Sequence, residues 1–294
     1  MVEHFTLSRK IFIGFNYIFL ALLSVLCILP LVHVLAVSFS SSSAAAAGYV
    51  KLWPVEFTLE SYKYVLGKEE FFESILMTIK RVAVGLTVNM VLTILVAYPL
   101  SKEVNKFRGR TIYAWVFVFT MLFNGGLIPL YMMVKYTGIL DSVWALVLPS
   151  AVPIFNMILL LNFFRGLPKE LEEAAFMDGA GHWTTLWKVY VPLSAPALAT
   201  ITLFTMVFHW NSWFDGLIFM NTPENYPLQS YLQTVVIQQN FNNASLETIA
   251  ELSKISDRTF KSAQIFLGSL PILLVYPFLQ RFFMKGIVLG SVKE

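Results

Sequence analysis

Charge is scarce in this sequence: Asp, Glu, Lys and Arg make up 13% of its 294 residues, against about 25% in ordinary soluble domains. The net charge of +3 is too small to be the footprint of a nucleic-acid binder. There is a single cysteine, Cys27, set inside an apolar run, which excludes a disulfide framework and a clustered-thiol metal site. The four histidines, His4, His33, His182 and His209, are scattered and have no zinc-ligand spacing. No Gly-x-x-x-x-Gly-Lys-Ser/Thr phosphate loop occurs, since Tyr62 stands where the first glycine would precede Gly67-Lys68. Nor is there a Gly-x-Ser-x-Gly nucleophile elbow.

Apolar residues are abundant instead, 57% of the chain, with a mean hydropathy of +0.67. A water-soluble fold of this size has no interior for so much apolar surface, so the chain reads as an all-α polytopic membrane protein. Stretches free of charge run over Ile11–Val50, Val82–Ser101, Thr111–Val134, Ser142–Phe164, Val189–Phe214 and Ser262–Gln280. Crossing the hydrocarbon core takes roughly 20 apolar residues. Six transmembrane helices are therefore predicted, near 12–38, 80–100, 111–134, 142–164, 194–219 and 263–284. Pro30, Pro129, Pro149, Pro153, Pro196 and Pro271 mark expected kinks or breaks. The first run is longer than the roughly 7–15 residues of a secretory core, so it is read as an anchor.

The spans bound a short N-terminus (1–11), an outer loop (39–79) and a core (80–284) that contains an inner loop (165–193) and a second outer loop (220–262). A tail (285–294) follows. Placing both termini in the cytoplasm puts twelve basic residues inside and nine outside, and the turn 101–110 alone carries four of the twelve. The loop 220–262 is rich in amides, with Gln229, Gln233, Gln238, Gln239, Asn240, Asn242 and Asn243. It is expected to cap the bundle or to meet an outside partner.

The inner loop has legible local physics. Pro168 suits the start of a helix, and Glu170, Glu172 and Glu173 lie near its positive end. Asp178-Gly179-Ala180-Gly181 should stop that helix, and a second short one, His182–Tyr190, leads to Pro192. The product is a hairpin with a small-residue crest. Physics alone leaves two readings open: a docking site for another protein, or a surface hairpin at headgroup level.

Polar residues within spans are functional candidates. Asn156, Trp210, Asn211 and Asp215 are the candidates for a solute path, because a polar solute needs amide donors and acceptors in place of water and aromatic faces for its apolar surface. Positions 211 and 215 are four apart and are expected on one helix face. The alternative is that such residues glue helices together. An unneutralised Asp215 on the path would disfavour anionic solutes, acidic sugars among them.

The spacing Glu173-Ala174-Ala175, then Gly179, then Val189, then Val191-Pro192 resembles the EAA motif of ATP-binding-cassette importer permeases, with Val191 where that family usually has leucine. Ala97–Lys102, Phe123–Pro129, Trp210-Asn211 and the ending Lys285–Gly290 resemble carbohydrate-uptake permeases. Within these, the likeness is to the second membrane subunit of complex-oligosaccharide importers for pectin or alginate fragments. The maltose importer's shorter permease is a more distant relative. The resemblance implies the type I importer permease fold and a bacterial cytoplasmic-membrane location. It implies coupling to an ATPase through Glu173, Ala174, Ala175, Asp178, Gly179 and Ala180. It further implies four kinds of partner: a second homologous permease, two ATP-binding-cassette ATPases, an extracytoplasmic sugar-binding protein and the lipid bilayer. ATP and magnesium would sit on the ATPases, and this chain would bind no cofactor and catalyse no covalent step. Permeases for other solutes also carry the loop, and a receptor or channel with a cytoplasmic hairpin is the competing class.

Overall fold

A computed structural model describes residues 7–237 and 257–291; the side chains of 235–237, 257, 276 and 278–291 are not described. All regular structure among the described residues is helical. In chain order the helices are α1 (Leu7–Ser38), α2 (Ser42–Ala46), α3 (Glu60–Leu66), α4 (Glu69–Ser101), α5 (Arg110–Leu122), α6 (Leu127–Tyr136), α7 (Val143–Val147) and α8 (Ile154–Gly166). After them come α9 (Lys169–Met177), α10 (His182–Thr185), α11 (Val191–Leu193), α12 (Ala195–Asn211), α13 (Phe214–Phe219), α14 (Leu228–Ile237) and α15 (Asp257–Ser291). The chain divides into two compact units, 1–69 with 235–270, and 70–234 with 271–294.

In the first unit α1 leaves its apolar surface outside the chain's own packing: Phe12, Phe15, Tyr17, Ile18 and Leu22 are all exposed. Only its end is buried, where Ala36 and Val37 pack with Ala44, Ala45 and Val50. The segment after α1 folds back on it. The Val55 amide donates to Ser40 Oγ at 3.0 Å, and Ser38 Oγ meets the Tyr62 hydroxyl at 2.7 Å.

In the second unit α4 starts at Glu69, well before the expected residue 80. Glu69 and Glu70 suit the positive end of a helix, so charge that ends an apolar run does not end the helix. Two expected spans are bent, and the inner loop enters a third at an angle. α5 and α6 meet at 115°, because Asn124 Oδ1 accepts from the Gly126 amide at 2.9 Å and Gly126 has φ +93°. Val143–Ser150 and α8 meet at 50° across Ala151–Pro153. His182–Leu193 and α12 meet at 81° around Ser194, between Pro192 and Pro196. The expected continuous span 194–219 is likewise two helices, α12 and α13, separated at Ser212-Trp213. Only α1 and α4 are single helices long and apolar enough to cross a membrane among the described residues; each bent pair taken as one span gives five. The sixth expected span lies within α15, which carries Pro271 and Pro277.

The core of this unit joins α4 (Ile94, Ala97, Tyr98, Leu100), α8 (Met157, Leu160, Leu161, Phe164) and α12 (Ala197, Ile201) to Leu186 and Tyr190 of the inner loop. A second cluster holds Val134, Ala145, Leu146, Phe219 and Met220. Beside it Asp141, with φ +57°, accepts from the Asn221 amide at 3.0 Å.

Candidate functional site

Two regions of the second unit carry the candidates. The first is the inner loop. Pro168 stands just before α9 rather than inside it, with an extended backbone. The helix closes as its glycine requires: the Gly179 amide bonds the Phe176 carbonyl at 3.0 Å and the Ala180 amide bonds the Ala175 carbonyl at 2.9 Å. With Gly179 at φ +76°, this is the paired 5→2 and 6→1 closure of a Schellman motif. Glu173, Ala174, Met177, Asp178 and Gly179 are exposed, and Ala175 and Ala180 are half-buried. Met177 is 87% exposed, an apolar tip beside a small-residue crest.

The second loop helix is not the plain α-helix expected over His182–Tyr190. Leu186–Tyr190 forms a π-helical turn. Pro192 has no N–H to close on the Lys188 carbonyl, and the widened turn absorbs that break.

Glu172, which the sequence did not single out, faces inward. It is 5% exposed and accepts from Lys102 Nζ at 2.9 Å, Lys106 Nζ at 3.3 Å and the Tyr190 hydroxyl at 2.6 Å. Burial raises its carboxyl, but the bonds from Tyr190 and Lys102 outweigh that and hold it below the usual carboxylate range. Burial acts more strongly on Lys102, which lies below the usual amine value although Glu172 draws it upward. The Tyr190 hydroxyl is raised by burial and by the bond to Glu172. A second, exposed ion pair joins Lys169 to Glu103.

The second region is a polar seam between α4 and the α12–α13 break. Arg81, fully buried, donates from Nη1 to the Ser212 carbonyl at 3.2 Å and to Asp215 Oδ1 at 3.1 Å. Its Nη2 forms an ion pair with Asp215 Oδ2. One turn on, Gly85 lies against the His209 ring so closely that a Cβ would overlap it. A further turn on, Asn89 Nδ2 reaches His209 Nε2 at 3.3 Å. Asn156 is buried and donates to Thr205 Oγ1 at 3.2 Å. It bridges α8 and α12 inside the protein.

Asn211 and Asp215 line one cavity of about 610 Å³ with Ser150, Phe208, Ser212, Trp213 and Phe214. They reach it from two helices and not, as expected, from one face of a single helix, because the chain breaks between them. Trp210 lines a different, apolar cavity of about 260 Å³ with Val82, Ala83, Met206 and Pro271. Neighbouring helix positions point about 100° apart, which separates Trp210 from Asn211. Among the loop amides, Gln238, Gln239, Asn240, Asn242 and Asn243 lie outside the described residues.

Bent apolar helices, a polar seam beside a cavity and an exposed small-residue loop together define a polytopic membrane protein. The chain belongs to the binding-protein-dependent transport system inner membrane component family, whose model matches residues 82–288. It is similar to the polygalacturonan/rhamnogalacturonan transport system permease protein YtcP of Bacillus subtilis (strain 168), with 38% identity covering 98% of this chain and 100% of that one. Protein LplC of the same organism is 39% identical over 99% of this chain and 97% of its own. Among solved structures it resembles a chain of a bacterial ABC transporter involved in the import of the acidic polysaccharide alginate. That match has a TM-score of 0.87 and 33% identity, and covers 96% of this chain and 100% of the other. Family membership sets aside the receptor and channel readings.

Proposed function

We propose that this chain is one of two permease subunits of an ATP-driven importer for oligosaccharides cut from an acidic polysaccharide. The observation that carries the cargo is the near-full-length likeness to permeases named for polygalacturonan/rhamnogalacturonan and alginate transport. The seam adds a physical reason. The negative charge of Asp215 at the cavity wall is cancelled by Arg81, which removes the sequence-based objection to acidic sugars.

The mechanism needs no covalent chemistry from this chain. A sugar-binding protein delivers cargo on the outer side, and two ATPases dock inside, one of them on the inner loop of this chain. Closure of the ATPase dimer moves α9, and the helices rock the cavity from one side of the membrane to the other. Exposed Glu173 and the Gly179 crest supply the docking face: a carboxylate for a charged partner, and a surface without side chains where another backbone can approach. The twelve basic residues counted on the loop side support cytoplasmic termini.

The test is uptake by proteoliposomes holding this chain with its neighbouring permease, ATPase and binding protein. Unsaturated oligogalacturonates and alginate oligomers are compared with neutral maltotriose. Uptake of an acidic oligomer alone is expected. Equal or preferred uptake of maltotriose, or of a non-carbohydrate solute, overturns the cargo assignment.

A further inference from the structure

The glutamate beside the docking residue has a different task. Glu172 and Glu173 are neighbours on α9, yet one is buried and the other exposed, as a 100° step around a helix allows. Glu172 receives donors from two other elements: Lys102 and Lys106, just beyond α4, and Tyr190 in the π turn that leads into α12. The Lys102 ammonium is itself held between two rings, 3.9 Å from the centroid of Tyr98 and 4.0 Å from that of Tyr190. The Tyr190 ring in turn meets the edge of Phe164 of α8 at 5.3 Å. One carboxylate thus ties α9 to the end of α4 and to the turn that leads into α12, and Tyr190 packs that turn on α8.

Stability does not explain this arrangement. A buried ion pair is about break-even against well-packed apolar residues, and Ala97, Leu100, Leu160, Phe164 and Leu186 already pack around the same place. What the pair adds is fixed geometry, since charge-assisted bonds are short and directional. A displacement pressed on Glu173 reaches α4 through the next residue, with no flexible linker between.

We propose that Glu172, Lys102 and Tyr190 form a clasp of positioning residues that transmits the movement of the docked loop to α4 and α12, and so sets how much cargo moves per ATP. The proposal rests on the importer reading above. The experiment uses the full reconstituted complex and reads two quantities: ATPase subunit retained on purification, and sugar imported per ATP hydrolysed. E172Q keeps the shape of the side chain and leaves Lys102 unneutralised. It should retain the ATPase while import per ATP falls at least about five-fold, the lower end of typical coupling. Y190F removes one hydroxyl, should lower import per ATP about two-fold or more, and decides the matter if E172Q does not fold and insert with its partner permease. An unchanged import-to-ATP ratio in the assembled variants overturns the clasp. Loss of the ATPase from E172Q also overturns it, because Glu172 would then act through the docking face. E173A is the separate control: it should weaken ATPase retention, and normal retention there refutes the docking face itself.

Discussion

Replacing Asp215 by Asn removes the charge opposite a buried guanidinium and leaves it the Ser212 carbonyl and one neutral amide oxygen as acceptors. Breaking a fully buried pair by removing one partner costs about 3–5 kcal/mol. Arg81 is 0% exposed but Asp215 is 26% exposed, so water relieves part of that cost and the lower end, about 3 kcal/mol, is the expected value. Removing both charges together (Arg81→Met with Asp215→Asn) should recover most of the loss, because what is costly is the orphaned charge and not the missing pair. Thermal unfolding of the detergent-solubilised permease pair reads this directly. At roughly 2 °C per kcal/mol for a large domain, Asp215→Asn lowers Tm by about 6 °C and the double variant by less than half of that. Additive losses, with the double variant worse than either single one, would show that Arg81 and Asp215 do not act as a pair.

Three further outcomes follow from particular contacts. Gly85→Ala drives a methyl into the His209 ring and should cost about 1–3 kcal/mol as overpacking, whereas Gly166→Ala, open on all sides, should be neutral or slightly stabilising in the same melting assay. The Glu172 carboxyl lies below its usual range in the folded state, so its contribution is fully present above the unfolded carboxylate value and is lost as pH falls through the folded one. The stability gap between native protein and Glu172→Gln should hold steady from about pH 6 to 8 and close only in acid; a gap that changes across neutrality refutes the assignment. For topology, cysteines placed at exposed Asn105 and Thr184, in a chain with Cys27 replaced, should react with an impermeant maleimide only from the cytoplasmic side. One at Asn221 should react only from outside, and the reverse pattern overturns the orientation.

The helical membrane class and the loop were legible in the sequence because both rest on local chemistry. Charge-free length reports apolarity, and Gly179 announces a left-handed backbone that the structure places at φ +76°. Continuity was legible only where proline marks it, as Pro153 does between Val143–Ser150 and α8; apolar runs register neither the Asn124 turn that breaks 111–134 nor the Ser212-Trp213 break. Arg81 falls just outside the charge-free run Val82–Ser101, yet it lies buried inside α4 facing Asp215. The i, i+4 and i, i+8 series Arg81, Gly85, Asn89 was the available signal: a charge, a gap and an amide on one helix face. Which of two adjacent glutamates faces the protein depends on where the bundle lies, and motif spacing carries no such information.

The central claim is that the glycine-closed loop passes work from an ATPase to this permease. It is tested most directly by ATP-driven oligogalacturonate uptake into proteoliposomes carrying the native complex or Gly179→Pro. Proline cannot adopt φ +76° and loses the amide that bonds Phe176. The account predicts a complex that still inserts, with uptake abolished and any remaining ATP hydrolysis no longer raised by the loaded binding protein. Native uptake and native stimulation in Gly179→Pro would contradict it.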